Sequence, residues 1–133
     1  MKVIVDTCIW SLVFRRKGVA DDPLARALSE LVRDCRAQIL GPIRQELLSG
    51  VKTHDFFTLL RDKLQAFPDQ PLRASDYERA AEFCNYCRSK GVQGSATDFL
   101  ICAVSAETRM PIFTTDNDFT LYRKHLPVYL FKV

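Results

Sequence analysis

Val3-Ile4-Val5 is an unbroken apolar run that ends at Asp6-Thr7. Three β-branched residues without a polar break read as a short strand covered on both faces, the kind found inside parallel sheets. Pro111-Ile112-Phe113-Thr114-Thr115-Asp116 repeats the design near the other end of the chain. Ala37-Gln38-Ile39-Leu40 and Val128-Tyr129-Leu130-Phe131 predict two further strands. Between these runs the apolar spacing is helical. Cys8 to Phe14 predicts a short helix with Thr7 as its N-cap, and with Trp10 and Phe14 one turn apart as core. A loop follows through Gly18. Asp22-Pro23 places a capping residue before a proline, and Leu24, Ala27, Leu28, Leu31, Val32 and Cys35 then recur at helical spacing. Gly41-Pro42 breaks the second strand, and Ile43 to Ser49 predicts a helix closed by Gly50. Asp55 to about Ala66 carries Phe56, Phe57, Leu59, Leu60 and Leu64, an apolar arc wide for a single core face. Ser75-Asp76-Tyr77-Glu78 has the form of a capping box, and the helix it opens runs to about Ser89 with Gly91 past its end. Asp98 leads into Phe99-Leu100-Ile101-Cys102-Ala103-Val104, a helix apolar nearly all round and therefore buried at the centre. Phe119 to Lys124 adds one or two helical turns. Strands alternating with helices predict an α/β sandwich with a mostly parallel sheet.

The 133 residues suit one domain, spanning 1–133, with one core. Apolar residues make up 47% and charged residues 26%, the balance of a soluble globular chain. No apolar run approaches the ~20 residues that span a bilayer. Met1-Lys2 leads straight into the first strand, which argues against a signal peptide and for a cytoplasmic protein. Cys8, Cys35, Cys84, Cys87 and Cys102 are an odd set without secretory context, and reduced thiols are expected. Cys84-x-x-Cys87 lies mid-helix with no second Cys/His pair nearby, so core thiols fit it better than zinc or redox chemistry. The net charge of +3 permits an anionic partner without requiring one. Arg15-Arg16-Lys17, taken alone, reads as a solvated basic loop. His54 and His125 sit in polar contexts and read as surface residues, and no Ser-His-Asp set is apparent.

Four carboxylates stand out: Asp6, Glu46, Asp98 and Asp116. In open α/β sheets ligands bind beyond the carboxyl ends of the strands, where Asp6 and Asp116 would stand. Each acid also has a local explanation. Asp6 could cap the helix after it, Glu46 could be solvated, Ser95-x-x-Asp98 could be a variant capping box, and Asp116 could begin an Asx-turn. Gathered in one cleft, they behave differently. Two carboxylates ~4 Å apart repel by ~4 kcal/mol at an effective dielectric near 20. Such a group raises its own pKa values unless a cation joins it. Oxygen ligands without histidine suit Mg²⁺ or Mn²⁺ rather than zinc.

Taken in order, VIVDT, PIRQELLSG, TDFLICA and TTDNDF resemble the PIN-domain family, and within it the VapC-type toxin ribonucleases of bacterial toxin–antitoxin modules. No one motif is specific, but the ordered set covers essentially the whole chain. The resemblance implies a three-layer α/β/α sandwich with a mostly parallel central sheet of four to five strands. It implies a metal-dependent endoribonuclease using one or two Mg²⁺ or Mn²⁺ ions, with Asp6, Glu46, Asp98 and Asp116 as catalytic and metal-binding acids. Asp118 falls where a further acid often appears, and Thr7 and Thr114 match hydroxyl positions that orient the acids. Arg15, Arg16, Lys17 and Arg44 flank acid-bearing segments and are candidates for RNA-backbone contacts. Partners implied are the RNA substrate, an antitoxin covering the acidic site and a second copy in a homodimer, with the Phe56-Phe57 helix and the Trp10 region as candidate surfaces. Two other readings stay open: a PIN-like binding module without catalysis, and an acidic-pocket phosphotransfer domain. Against the latter, Thr7-Cys8 follows Asp6 where a haloacid-dehalogenase-type site needs a second Asp.

Overall fold

The computed structural model describes residues 1–15 and 21–133. Arg16, Lys17 and Gly18 lie outside the described residues. Val3–Val5 (β1) is the middle strand of a parallel sheet, flanked by Ala37–Gln38 (β2) and Ile112–Phe113 (β3) in the order β2-β1-β3. Val3 pairs with Ala37 and Ile4 with Gln38, while Ile4 pairs with Ile112 and Val5 with Phe113. All three β1 residues are fully buried, as an unbroken apolar run demands. The helices are Thr7–Phe14 (α1), Pro23–Arg33 (α2), Gly41–Ser49 (α3), His54–Leu64 (α4), Ala74–Ser89 (α5), Ala96–Thr108 (α6) and Asp118–Arg123 (α7). The architecture is the expected α/β sandwich.

Among the described residues three strands form the ladder, against an expectation of four to five, and two isolated bridges extend it. Val128–Phe131 contributes one parallel bridge, between Leu130 and Ile112, and a second isolated bridge joins Ile39 to Asp69. Pro127 has no N–H, and the Val128 N–H donates to Leu126 O at 2.9 Å, so the start of the expected strand has no donors left for a ladder.

Helix starts depart from the expectation at several points; α3, for one, begins at Gly41 rather than Ile43, with Pro42 accommodated in its first turn. Asp6, not Thr7, caps α1, and its carboxylate accepts the Thr7 N–H at 2.8 Å. At α5 the helix begins two residues early, at Ala74 with Arg73 in the cap position. Asp76 reaches back to the Arg73 N–H at 2.8 Å, so Ser75 lies inside the first turn. At α2 the signal holds: Asp22 accepts the Leu24 N–H with Pro23 at the first helical position. Gly91, just past α5, takes φ +80°, the left-handed conformation that favours glycine at a helix end.

Helix α6 is the central helix, with Phe99 through Ser105 all buried, and α5 lies along it. Trp10 is fully buried, and its indole N–H donates to Val5 O at 2.9 Å, capping the end of β1. All five cysteines are free thiols; Cys87 is buried and Cys84 half-buried on α5. On α4, Leu60 and Leu64 face the core, while Phe56 and Phe57 are half-buried and Leu59 is 51% exposed. Among the described residues no helix is long and apolar enough to cross a membrane.

One buried hydroxyl ties α6 to the last bridge. Ser105 Oγ donates to Met110 O at 2.8 Å and accepts the Tyr129 N–H at 3.2 Å. Ser105→Ala leaves both backbone groups without this partner and is expected to cost about 1–3 kcal/mol in chemical denaturation. A change within experimental error would show that water replaces the hydroxyl.

Candidate active site

Parallel pairing brings the ends of β1 and β3 to one edge of the sheet, with Asp6 directly after β1 and Thr114 directly after β3. Asp6 is 8% exposed, and both of its carboxylate oxygens are occupied. One accepts the Thr7 N–H; the other accepts the Thr114 hydroxyl at 2.7 Å. Thr114 Oγ1 in turn accepts the Asp116 N–H at 3.0 Å. A single hydroxyl thus fixes Asp6 and the turn that carries the next acid. Cys8 packs beside it, its Sγ 3.6 Å from Thr114 Oγ1 and accepting the Thr115 N–H and hydroxyl at 3.5 and 3.3 Å.

Asp116 does begin an Asx-turn: its Oδ1 accepts the Asp118 N–H at 2.9 Å. Asp118 is the first residue of α7. Asp98 sits in the first turn of α6, where its N–H donates to Ser95 Oγ at 3.1 Å. Its carboxylate does not accept the Ser95 N–H, so no reciprocal capping box forms. Asp98 Oδ2 instead accepts the Tyr122 hydroxyl at 2.7 Å. Local capping and clustering are therefore compatible for Asp6, Asp98 and Asp116. Asp98, Asp116 and Asp118 each bring a carboxylate oxygen within 4.8 Å of the others.

The trio differs from the expected set in membership. Asp118, placed by sequence as an accessory, belongs to it. Asp6 stands beside the trio and feels the charges of Asp98 and Asp116. Glu46, exposed on α3, joins the site through Thr7, whose hydroxyl donates to Glu46 Oε2 at 2.8 Å. Tyr122 is absent from the sequence reading, although its i, i+4 spacing from Asp118 puts both on one face of α7.

Burial pushes the Asp6 carboxyl above its ordinary range, against the pull of the Thr114 and Thr7 hydrogen bonds and with help from the charges of Asp98 and Asp116. Asp98 is raised in the same way. Burial leads, the bonds from Tyr122 and Ser95 oppose it, and Asp116 and Asp118 add repulsion. Burial and the neighbouring Asp98 push the Tyr122 phenol and the Cys102 thiol well up, so both are neutral at ordinary pH. Oxygen donors held this close, at least one of them half-buried and reluctant to ionise, fit a hard divalent cation of the Mg²⁺ or Mn²⁺ type.

Of the basic residues, Arg44 is committed elsewhere. It pairs with Asp69 at 3.0 Å and donates to Leu64 O and Phe67 O, pinning the segment after α4. Arg15 donates to Gly50 O at 3.0 Å and stays exposed at the end of α1. Neither histidine is at the site: His54 opens α4 and His125 follows α7.

The PIN domain family model matches residues 3–124. The chain belongs to the PIN-domain family. Its structure is similar to FitAcB from Neisseria gonorrhoeae (TM-score 0.77, 16% identity, covering 98% of this chain and 96% of that one). It is similar as well to VapBC2 from Rickettsia felis bound to a DNA fragment from its promoter (TM-score 0.75, 17% identity, 99% and 98% covered). A third is VapBC-5 from Mycobacterium tuberculosis, a member of the VapBC family of toxin-antitoxin systems (TM-score 0.67, 19% identity, 99% and 98% covered). At these identities the likeness is one of fold. No curated protein gives a significant match. For a PIN domain, the acids at the strand ends are the first place to look for chemistry.

Because the folded pKa of Asp98 lies above its ordinary 3.8, its contribution to stability is full below that value and is lost as pH rises through the folded pKa. Asp98→Asn keeps an acceptor for Tyr122 and removes the charge. In EDTA the variant is expected to melt no lower than wild type at about pH 7.5, with its margin shrinking toward about pH 4. Melting clearly below wild type at the higher pH would make the carboxylate a stabilising group.

Proposed function

We propose that this PIN domain is a metal-dependent endoribonuclease acting as the toxin of a toxin–antitoxin module. The observation that carries the reading is the Asp98–Asp116–Asp118 trio beside the buried Asp6 at the carboxyl edge of the sheet. PIN domains are typically nucleases, and the similar VapBC-5 structure is of a member of the VapBC family of toxin-antitoxin systems.

Asp98, Asp116 and Asp118 would hold one or two Mg²⁺ or Mn²⁺ ions, with Asp6 as a further ligand. Bound there, a divalent ion lowers the pKa of water and polarises a phosphodiester. The protein's own part is placement. Thr114 and the Thr7 N–H hold Asp6 in one orientation, and Thr7 aims Glu46 at the same edge, where it holds metal or orients the attacking water. Water oxygen bonds to phosphorus in line, the P–O3′ bond breaks, and the leaving oxygen takes up a proton. The products carry 5′-phosphate and 3′-hydroxyl ends.

Two cations outside the expected set line the acidic edge. Arg123 and Lys132 are exposed, line a cleft of about 240 Å³ with Thr114, Thr115, Asp116 and Asn117, and form no ion pair among the described residues. Cations beside an acidic edge offset its repulsion of phosphate. They are better candidates for backbone contacts than Arg44, with Arg15 at the edge's other flank. For the antitoxin, the groove of about 440 Å³ between α1, α2 and α4 is lined by Val13, Phe14, Val32 and Phe67 and edged by Arg33 and Lys63. Trp10 forms only its floor, being fully buried. The half-exposed Phe56 and Phe57 on α4 remain the homodimer candidate.

The chain freed of antitoxin is expected to cut RNA with Mg²⁺ or Mn²⁺, to lose the activity in EDTA, and to fall by more than about 100-fold as Asp116→Asn, beyond the usual cost of an outer-shell loss. End-labelling reads the 5′-phosphate. Absence of metal-dependent cleavage in total RNA sinks the reading. In Ca²⁺-buffered binding to single-stranded RNA, Arg123→Gln and Lys132→Gln should each lower the log–log salt slope by roughly 0.7, whereas Arg88→Gln on α5 should not. Unchanged slopes would put the RNA elsewhere.

A further inference from the structure

Tyr122 is fully buried on α7, yet its hydroxyl reaches into the acidic cluster. A buried phenol needs a polar partner, and here the partner is Oδ2 of Asp98. The ring has little freedom to choose another. Phe99 packs against it at 5.1 Å between centroids, and Phe119 meets it edge-on at 5.2 Å. A third contact comes from the segment before α6. A Cβ added at Gly94 would stand 2.2 Å from the Tyr122 hydroxyl oxygen, 2.8 Å from its Cζ and 3.1 Å from Phe99 Cε2. Gly94 is therefore a clearance for the phenol. Its neighbour Ser95 caps α6, and three residues on stands Asp98. One short segment thus makes room for the hydroxyl and presents the carboxylate it binds.

We propose that Tyr122, seated against Gly94, is a positioning residue for the divalent-ion site: it occupies Oδ2 of Asp98 and so presents the other oxygen of that carboxylate in one fixed orientation. The inference rests on the metal-dependent reading above and names a residue that reading does not use. A half-buried aspartate with both oxygens free would sample rotamers and bidentate as well as monodentate geometries. With Oδ2 held by a neutral donor, the other oxygen is the one left for an ion shared with Asp116 and Asp118. Helix α7 then supplies the site twice, through the Asp118 carboxylate at its start and the Tyr122 hydroxyl one turn later.

The test is Mn²⁺ binding to the metal-free chain by calorimetry, without RNA, alongside thermal unfolding in EDTA and in Mn²⁺. Tyr122→Phe keeps the ring and removes the hydroxyl. It is expected to weaken Mn²⁺ binding on the order of tenfold, as lost supporting hydrogen bonds at metal sites do, and to shrink the Mn²⁺-induced rise in Tm. Gly94→Ala should also weaken binding, by displacing the phenol. The combined variant should bind no worse than the weaker single one, because both changes break the same bond. A phenol that only fills the core would lower Tm equally with and without Mn²⁺ and leave the affinity alone; that result overturns the proposal. A wild type that binds Mn²⁺ but cuts no RNA overturns the nuclease reading and leaves this one standing.

Discussion

Parallel register between β1 and β3 sets the acidic edge. Because Val5 pairs with Phe113, the residues that follow, Asp6 and Thr114, leave the sheet side by side. A slip of one residue would turn each side chain to the opposite face and separate them. A threonine suits the second position because a hydroxyl can donate and accept at once. Thr114 does both, giving its proton to Asp6 and taking the Asp116 N–H. Valine would fill the same space and hold neither group. Strand pairing delivers the pieces to within a few ångströms, and this hydroxyl sets the final geometry.

Burial works on the site in two directions. Cys102, close enough to feel the charges of Asp98 and Asp6, and Phe99, packed on Tyr122, are both essentially excluded from solvent. A surrounding of low polarisability makes repulsion between carboxylates stronger, and it strengthens their attraction to a shared cation by the same factor. The cost of holding Asp6 and Asp98 out of water is thus also what gives them a use. Two of the titratable groups pressed against them add nothing to the repulsion. Tyr122 and Cys102 are held neutral by the burial and negative charge that surround them.

Much of this could be read from local pattern. An uninterrupted β-branched run ending in a carboxylate located β1 and Asp6, an acid followed by proline located the start of α2, and an all-round apolar segment located the central helix. What escaped was set by distant parts of the chain. The side chain of Asp98 faces Tyr122, which lies 24 positions away in the sequence. Arg44 looks like a free cation until Asp69 and the carbonyls after α4 come round to meet it. Gly94 reads as an ordinary turn glycine, and only the phenol against it shows why a side chain there would collide. Helix boundaries slipped by a residue where two capping residues stood in a row, as at Asp6-Thr7. Either could serve, and the extended backbone of Asp6 decides.

The six-residue α7 would not persist alone, since helices this short are unstable in water. Phe119 and Tyr122, both fully buried, hold it against the rest of the protein. Its start has no side-chain cap from Asn117; the Asp118 N–H is taken by Asp116 instead. An acid of the cluster therefore also begins the helix that carries the next acid and the phenol behind Asp98. Removing the Asp116 side chain altogether would unsettle the helix and the charge together. Replacing it with asparagine removes the charge and leaves an oxygen for the Asp118 N–H. The difference between those two substitutions separates the electrostatics of the site from the folding of α7, and it makes α7 part of the acidic site rather than a neighbour of it.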